Sequence, residues 1–361
     1  GGNAAGYVYG SIPFIAIFGT SELGVRSLSI LSGIAIVILI YFFGKRLFDE
    51  RVGLIASFIA SVSPWDISLS RGGFEVHLAL FFTLLGIICF IFAKATPRYL
   101  IDGAVFWVLT IHTYPTFKLV LPLFLPALLW FTEMKKWILD KKHKFSTTVA
   151  IIILVIFSLL ALRETVYFRS EERFLDLNVF AQGSLREELI QKINSERQLV
   201  NIALPVERIF HNKAFEYARI LTKSYLENFS PSFLFTQGDA NPRHNMAEMG
   251  ELYVIELVLI FFGIGYLWKK DPRLLIFLTA WLTIAPVAST FIMDPHALRN
   301  AFMLPPLTLL SASGALGLKE FLPKIWKVVL VFVVLGFLIQ FAYFVERLYF
   351  LAPNKFDQFW S

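Results

Sequence analysis

Four polar stretches carry the residue types able to do chemistry in this 361-residue chain. "FSPSFLFTQGDANPRHNMAEMGELY" (229–253) holds Asp239, Arg243 and His244, and "MDPHALRNAF" (293–302) holds Asp294, His296 and Arg299. "SPWDISLSRGGFEVHLAL" (63–80) offers Asp66, Arg71, Glu75 and His77; "IHTYPTFKLVLP" (111–122) offers His112, Tyr114 and Lys118 at a helix break. Arginine presents a planar fork of donors and lysine a point charge, so a cavity lined by these cations suits a phosphate. Plainer readings stand beside that one. Arg71 and Glu75, four residues apart, can pair along one helix. His77 and His112 can be hydrogen-bonded helix-end residues, Asp294 or Asn300 a helix cap, and "QGDANP" a turn. The phosphate-loop, H-E-x-x-H, paired C-x-x-C and G-x-S-x-G motifs are absent from the sequence, which disfavours a nucleotide-dependent reaction.

The elements that must position these groups are membrane spans. The chain is 57% hydrophobic and 17% charged, with a mean hydropathy of +0.65, far too apolar for a soluble domain of this size. A span needs about 20 mostly apolar residues. Runs of this kind predict spans near 25–43, 52–64, 78–93, 101–112, 119–132, 147–162, 252–268, 274–292, 301–318 and 328–345, with 52–64 and 101–112 short. The segment 7–19 reads as an interfacial helix. The net charge of +6 comes from short clusters between apolar runs, which excludes a nucleic-acid partner as the simplest reading. Lys45, Arg46 and Arg51, then Lys94 and Arg98, then the lysines at 135–144, then Lys269, Lys270 and Arg273, then Lys319, Lys324 and Lys327 fill every second loop. Those loops are predicted to be cytoplasmic, and all four polar stretches then share the opposite side. The chain divides into transmembrane regions at 1–162 and 252–345, an extracytoplasmic loop at 163–251 and an extracytoplasmic tail at 346–361. Within the loop, "SLREELIQKINSE" opens with Ser184 and Glu187 at capping-box spacing, and 212–229 reads as a second amphipathic helix. Cys89 lies in an apolar run and packs as a small hydrophobe.

Residues 21–86, with the basic loop "GKRLFDERVG", then "SPW" and a following arginine, resemble the membrane core of polytopic glycosyltransferases that use lipid-linked sugars. This is the dolichyl-phosphate-mannose–protein mannosyltransferase type, glycosyltransferase family 39. "FLFTQGDANPRHNMAEMGELY" and "DPHALRNAFMLPPL" resemble later segments of bacterial and archaeal members. The resemblance implies an all-α polytopic GT-C bundle of about ten transmembrane helices with a long extracytoplasmic helical loop. It also implies inverting transfer of a sugar from a polyprenyl-phosphate carrier to a hydroxyl on a protein, lipid or glycan acceptor, at the outer face of the plasma membrane. Under it, Arg71, Arg243, His244, His296 and Arg299 are expected to contact phosphate or sugar, and Glu75 and Asp239 to contact sugar hydroxyls. The family's usual base is an acid in the first outer loop; nothing in residues 1–20 matches it, so the expected position precedes Gly1 and the chain reads as truncated there and at its C-terminus. No cofactor or metal is expected, since the leaving group is already a phosphate and no D-x-D pair is present. A transporter or flippase of a lipid-linked anion and a non-catalytic membrane scaffold are the alternatives.

Overall fold

The computed structural model describes residues 5–167, 179–180, 183–199 and 208–356. Among them every regular element is helical. The first half runs α1 (Ala5–Phe18), α2 (Glu22–Leu47), α3 (Glu50–Ser61), α4 (Pro64–Gly72), α5 (Glu75–Phe92), α6 (Tyr99–Thr113), α7 (Phe117–Phe131) and α8 (Lys141–Tyr167). The second runs α9 (Gly183–Leu199), α10 (Lys213–Glu227), α11 (Val254–Lys270), α12 (Pro272–Ile284), α13 (Val287–Thr290), α14 (Leu304–Phe321), α15 (Trp326–Glu346) and α16 (Ala352–Lys355). Helices occupy each of the ten expected spans, with 274–292 divided between α12 and α13. Among the described residues, six helical segments are long and apolar enough to cross a membrane. A seventh is the pair α3 and α4, bent by 54° at residues 62–63. The helices α6 and α7 have 15 residues each, about 22 Å at 1.5 Å per residue, and so fall short of a full crossing as straight rods.

Local chemistry sets the breaks. Ser21 and Asp49 accept from the backbone N–H groups of Gly24 and Val52, capping α2 and α3. Ser63 caps α4 with Pro64 at its first position, and Asp271 with Pro272 does the same for α12. The end of α4 is Gly73 at φ 70°, a left-handed conformation open to glycine at no steric cost. Arg71 and Glu75 therefore belong to different helices, which rules out the one-helix pairing that their spacing allows.

Helix α14 is the axis of the bundle, with most of its residues buried from Leu304 to Leu318. It packs chiefly on α11, where Gly263, Gly314 and Gly317 bring the backbones together: a Cβ on Gly314 would collide with the Leu259 carbonyl, and one on Gly263 with that of Leu310. Such small-residue seams let helices approach closely in lipid. Gly44 of α2 and Gly53 of α3 make a similar approach. Around the axis, Phe124, Trp281 and Phe302 pack edge-on or tilted against one another and against Phe43, Phe117 and Phe277, and the Trp281 indole N–H donates to the Phe302 carbonyl at 2.9 Å. By contrast α8 and α15 expose long apolar faces, including Ile151, Val155, Leu159, Phe332 and Ile339. Lipid is the natural cover for such surfaces.

The two ends of the bundle differ in chemistry. Arg46, Lys94, Glu133 and Arg273, from four of the basic loops, line one cavity of about 490 Å³ at the end reached by the C-termini of α2, α5 and α7. The 26 residues of α2 put its far end about 39 Å away. The polar loops gather at that other end.

Candidate functional site

The centre of the site is built by the segment between α10 and α11. Phe233, Leu234 and Phe235 are buried, with Phe233 edge-on to Trp65 of α4, so the apolar triplet fixes the segment to the bundle. Gly238, at φ 74°, then turns the chain. Two successive side-chain turns follow: Asn241 N–H donates to Asp239 Oδ1 at 2.8 Å, and Arg243 N–H to Asn241 Oδ1 at 3.0 Å. Asn245 closes the loop, donating to the Gln237 and Asp239 carbonyls and accepting from Met249 N–H.

Asp239, 7% exposed, joins this loop to the one before α14. Its Oδ2 accepts from His244 Nδ1 at 2.8 Å and from Ala297 N–H at 2.8 Å. Its own N–H donates to Glu251 Oε1 at 3.0 Å. Burial would raise the Asp239 carboxyl, but the His244 hydrogen bond and the neighbouring imidazoles outweigh it, holding the group below its ordinary range and ionised. An ionised carboxylate only accepts, so His244 carries its proton on Nδ1. Burial, reinforced by the Asp239 charge, pushes Glu251 well above the usual carboxylate range. His296 Nδ1 lies 3.8 Å from Asp239 Oδ2, the two imidazole rings are 4.6 Å apart, and burial pushes the His296 imidazole down. It is neutral at physiological pH.

Arg299 extends the cluster. Its guanidinium hydrogen-bonds the buried Tyr114 hydroxyl and interacts with the Asp239 charge, while burial lowers its affinity for its proton. Glu75, half-buried in the first turn of α5, interacts electrostatically with Tyr114, and Phe74 meets the His244 ring edge-on at 5.4 Å. The loop before α14 is held from two further directions. Trp65 Nε1 donates to the Ala297 carbonyl at 3.1 Å, and Asn300 Nδ2 donates to Asn228 Oδ1 at 2.6 Å. Asn300 is thus a cross-link to α10's end rather than the helix cap its position suggests.

Of the residues picked from sequence, Asp239, His244, His296, Arg299 and Glu75 come together. Arg71 does not join them. It donates to the Leu348 carbonyl at 3.1 Å, lies over the Tyr349 ring and lines a separate cavity of about 220 Å³ with Glu22 and Arg26. Arg243 is exposed. His77 and Asp66 face each other at 3.3 Å inside the bundle, with Ser70 on the other imidazole nitrogen, and His112 faces Glu164 of α8 at 3.6 Å. Tyr114, already singled out at its Pro-marked helix break, completes the site together with Asn228 and Glu251, which carried no sequence signal. The Ser184 side chain lies outside the described residues.

A similar helical arrangement occurs in solved structures. The archaeal oligosaccharyltransferase AglB from Archaeoglobus fulgidus, in complex with an inhibitory peptide and a dolichol-phosphate, superposes with a TM-score of 0.51 over 98% of this chain and 47% of that one, at 13% identity. The chain has the GT-C fold. The Archaeoglobus fulgidus oligosaccharyltransferase tethered to an acceptor peptide containing the NVT sequon gives a TM-score of 0.50 at 13% identity, over 97% of this chain and 46% of that one. This GT-C chain spans about half the length of those structures. Residues 12–161 match the family described as dolichyl-phosphate-mannose-protein mannosyltransferase, which relates the first half of the GT-C bundle to those enzymes. No curated protein matches the sequence.

Proposed function

We propose that this GT-C chain transfers a sugar from a polyprenyl-phosphate carrier to an acceptor hydroxyl, with inversion, at the extracytoplasmic face. The observation that carries the reading is Arg299: a cation seated partly buried on the Tyr114 hydroxyl, beside Glu75, at the end of the bundle remote from the basic loops. The family match over residues 12–161 supports a lipid-linked sugar as donor, and the placement of Lys and Arg supports an outward-facing site.

In the proposed step the acceptor oxygen attacks the anomeric carbon and loses its proton to a carboxylate, while the bond from that carbon to the phosphate oxygen breaks. Its electron pair leaves with the polyprenyl phosphate. Arg299 stabilises the charge that grows on the leaving group. Glu75 is placed to contact sugar hydroxyls. Asp239, its carboxylate already engaged by three donors, positions His244 and the 294–300 loop instead of touching the sugar.

Membranes carrying the protein should transfer labelled sugar from a polyprenyl-phosphate donor. Arg299→Ala should lower the rate at least about 100-fold, the scale of losing one pre-positioned electrostatic contact, with an unchanged elution profile in detergent. Undiminished transfer by this variant overturns the assignment of Arg299.

A further inference from the structure

Asp239, His244 and His296 each offer a ligand atom, and the three atoms lie within 4.8 Å of one another. Two edges of this triangle, both measured from Asp239 Oδ2, are 2.8 Å to His244 Nδ1 and 3.8 Å to His296 Nδ1. Ligands about 2.0–2.1 Å from a tetrahedral ion stand about 3.3 Å apart, midway between those values. Small rotations of the two imidazoles would make the edges equal. Hydrogen bonding accounts for His244 Nδ1, but among the described residues the buried His296 Nδ1 has no hydrogen-bond partner, a costly arrangement that a ligand would relieve. The aspartate is already oriented from outside by the Asn241 and Ala297 N–H groups, as the outer partners of metal-binding carboxylates are.

We propose that Asp239, His244 and His296 bind one divalent transition-metal ion of the zinc class. Two imidazoles and a carboxylate suit zinc, cobalt or iron rather than magnesium or calcium. Binding replaces the proton on His244 Nδ1, which leaves to solvent. Three protein ligands leave a fourth position open. Arg299, whose charge reaches both His296 and Asp239, flanks it, so that position takes an anionic oxygen. That this oxygen belongs to the donor's phosphate rests on the proposed transferase reading; the metal site itself does not.

The test uses the purified full chain in detergent, stripped with chelator, reloaded with Zn²⁺ and dialysed, with bound metal measured by mass spectrometry. The wild type should retain about one equivalent, and His296→Gln and His244→Gln less than a tenth of that. His296→Gln removes no hydrogen bond of the Nδ1 atom, so it carries the test even if His244→Gln is poorly folded. A wild type that retains less than a tenth of an equivalent, or a folded His296→Gln that retains as much as wild type, overturns the site. Cobalt substitution gives a second readout. Visible bands that shift on adding polyprenyl phosphate support phosphate at the open position, and bands that do not shift reject that role. Zinc bound at one equivalent in a protein that transfers no sugar from any donor keeps the site and rejects the transferase.

Discussion

Replacing Asp239 by asparagine or by alanine should give two distinct outcomes. Its Oδ1 receives one N–H, from Asn241, and its Oδ2 receives two, from Ala297 and His244, all at 2.8 Å. In Asp239→Asn one oxygen becomes an amino group that cannot accept. The favourable orientation keeps oxygen at the Oδ2 position and turns the amino group toward Asn241 N–H, where water can substitute because Asn241 is exposed. The change then converts two charge-assisted bonds into neutral ones and loses a third, for a cost of about 2 kcal/mol once the relief of desolvation is counted. Asp239→Ala also leaves Ala297 N–H unsatisfied at a fully buried residue, and costs about 4 kcal/mol. Burial and the Asp239 charge push the Glu251 carboxyl well above the usual carboxylate range, which lessens any repulsion between the two. Against a total stability of about 5–15 kcal/mol both should be plain in denaturant-induced unfolding followed by tryptophan fluorescence in detergent. An alanine variant within about 0.5 kcal/mol of wild type, smaller than one ordinary hydrogen bond, or an asparagine variant worse than alanine, refutes the view of Asp239 as the joint between the two loops.

Other perturbations address separate features. Tyr114→Phe removes the hydroxyl that holds Arg299, and should lower sugar transfer about 10- to 100-fold, the scale of one hydrogen bond to a charge, while leaving the melting profile close to wild type. Gly314→Val places branched carbon against the Leu259 carbonyl and should cost more than about 3 kcal/mol of overpacking and seam separation, seen as loss of the monodisperse peak in size-exclusion chromatography. Glu248 is hydrogen-bonded by Lys355 at 2.7 Å and by Arg347 at 2.5 Å, and these cations hold its carboxyl below its ordinary value of 4.5. The folded state therefore binds fewer protons than the unfolded one in that window. The contribution is present above pH 4.5 and is lost as pH falls through the lowered value; limited proteolysis near residues 347–356 should accelerate there, and Glu248→Gln should flatten that acid dependence.

The apolar runs were long enough to locate ten helices, and the alternation of basic loops matched the end at which Arg46, Lys94 and Arg273 converge. What the sequence could not convey was which polar groups share a space. Asp239 and His244 are neighbours within one loop, but His296 reaches them only because α11 and α14 lie side by side. Arg71 and Glu75 have helical spacing, yet Gly73 in a left-handed conformation redirects the chain between them. Arg71 therefore points to the C-terminal segment and Glu75 to Tyr114. The pair Asn228 and Asn300 is separated by 72 residues, and asparagines in loops carry no mark of a partner at that distance. The Asp239, His244 and His296 set is invisible for the same reason: ligand spacing is a sequence signal only when one turn or one helix supplies the ligands.

The glycine seam between α11 and α14 also limits how substrate can be admitted. The loop with Asp239 leads into α11, and the loop with His296 and Arg299 leads into α14. Because the backbones of these helices meet without intervening side chains, the two loops ride on one stiff unit, cross-braced by Asp239. Under the proposed transferase reading, a long isoprenoid chain would have to pass along the outside of that stiff unit rather than between the two loops.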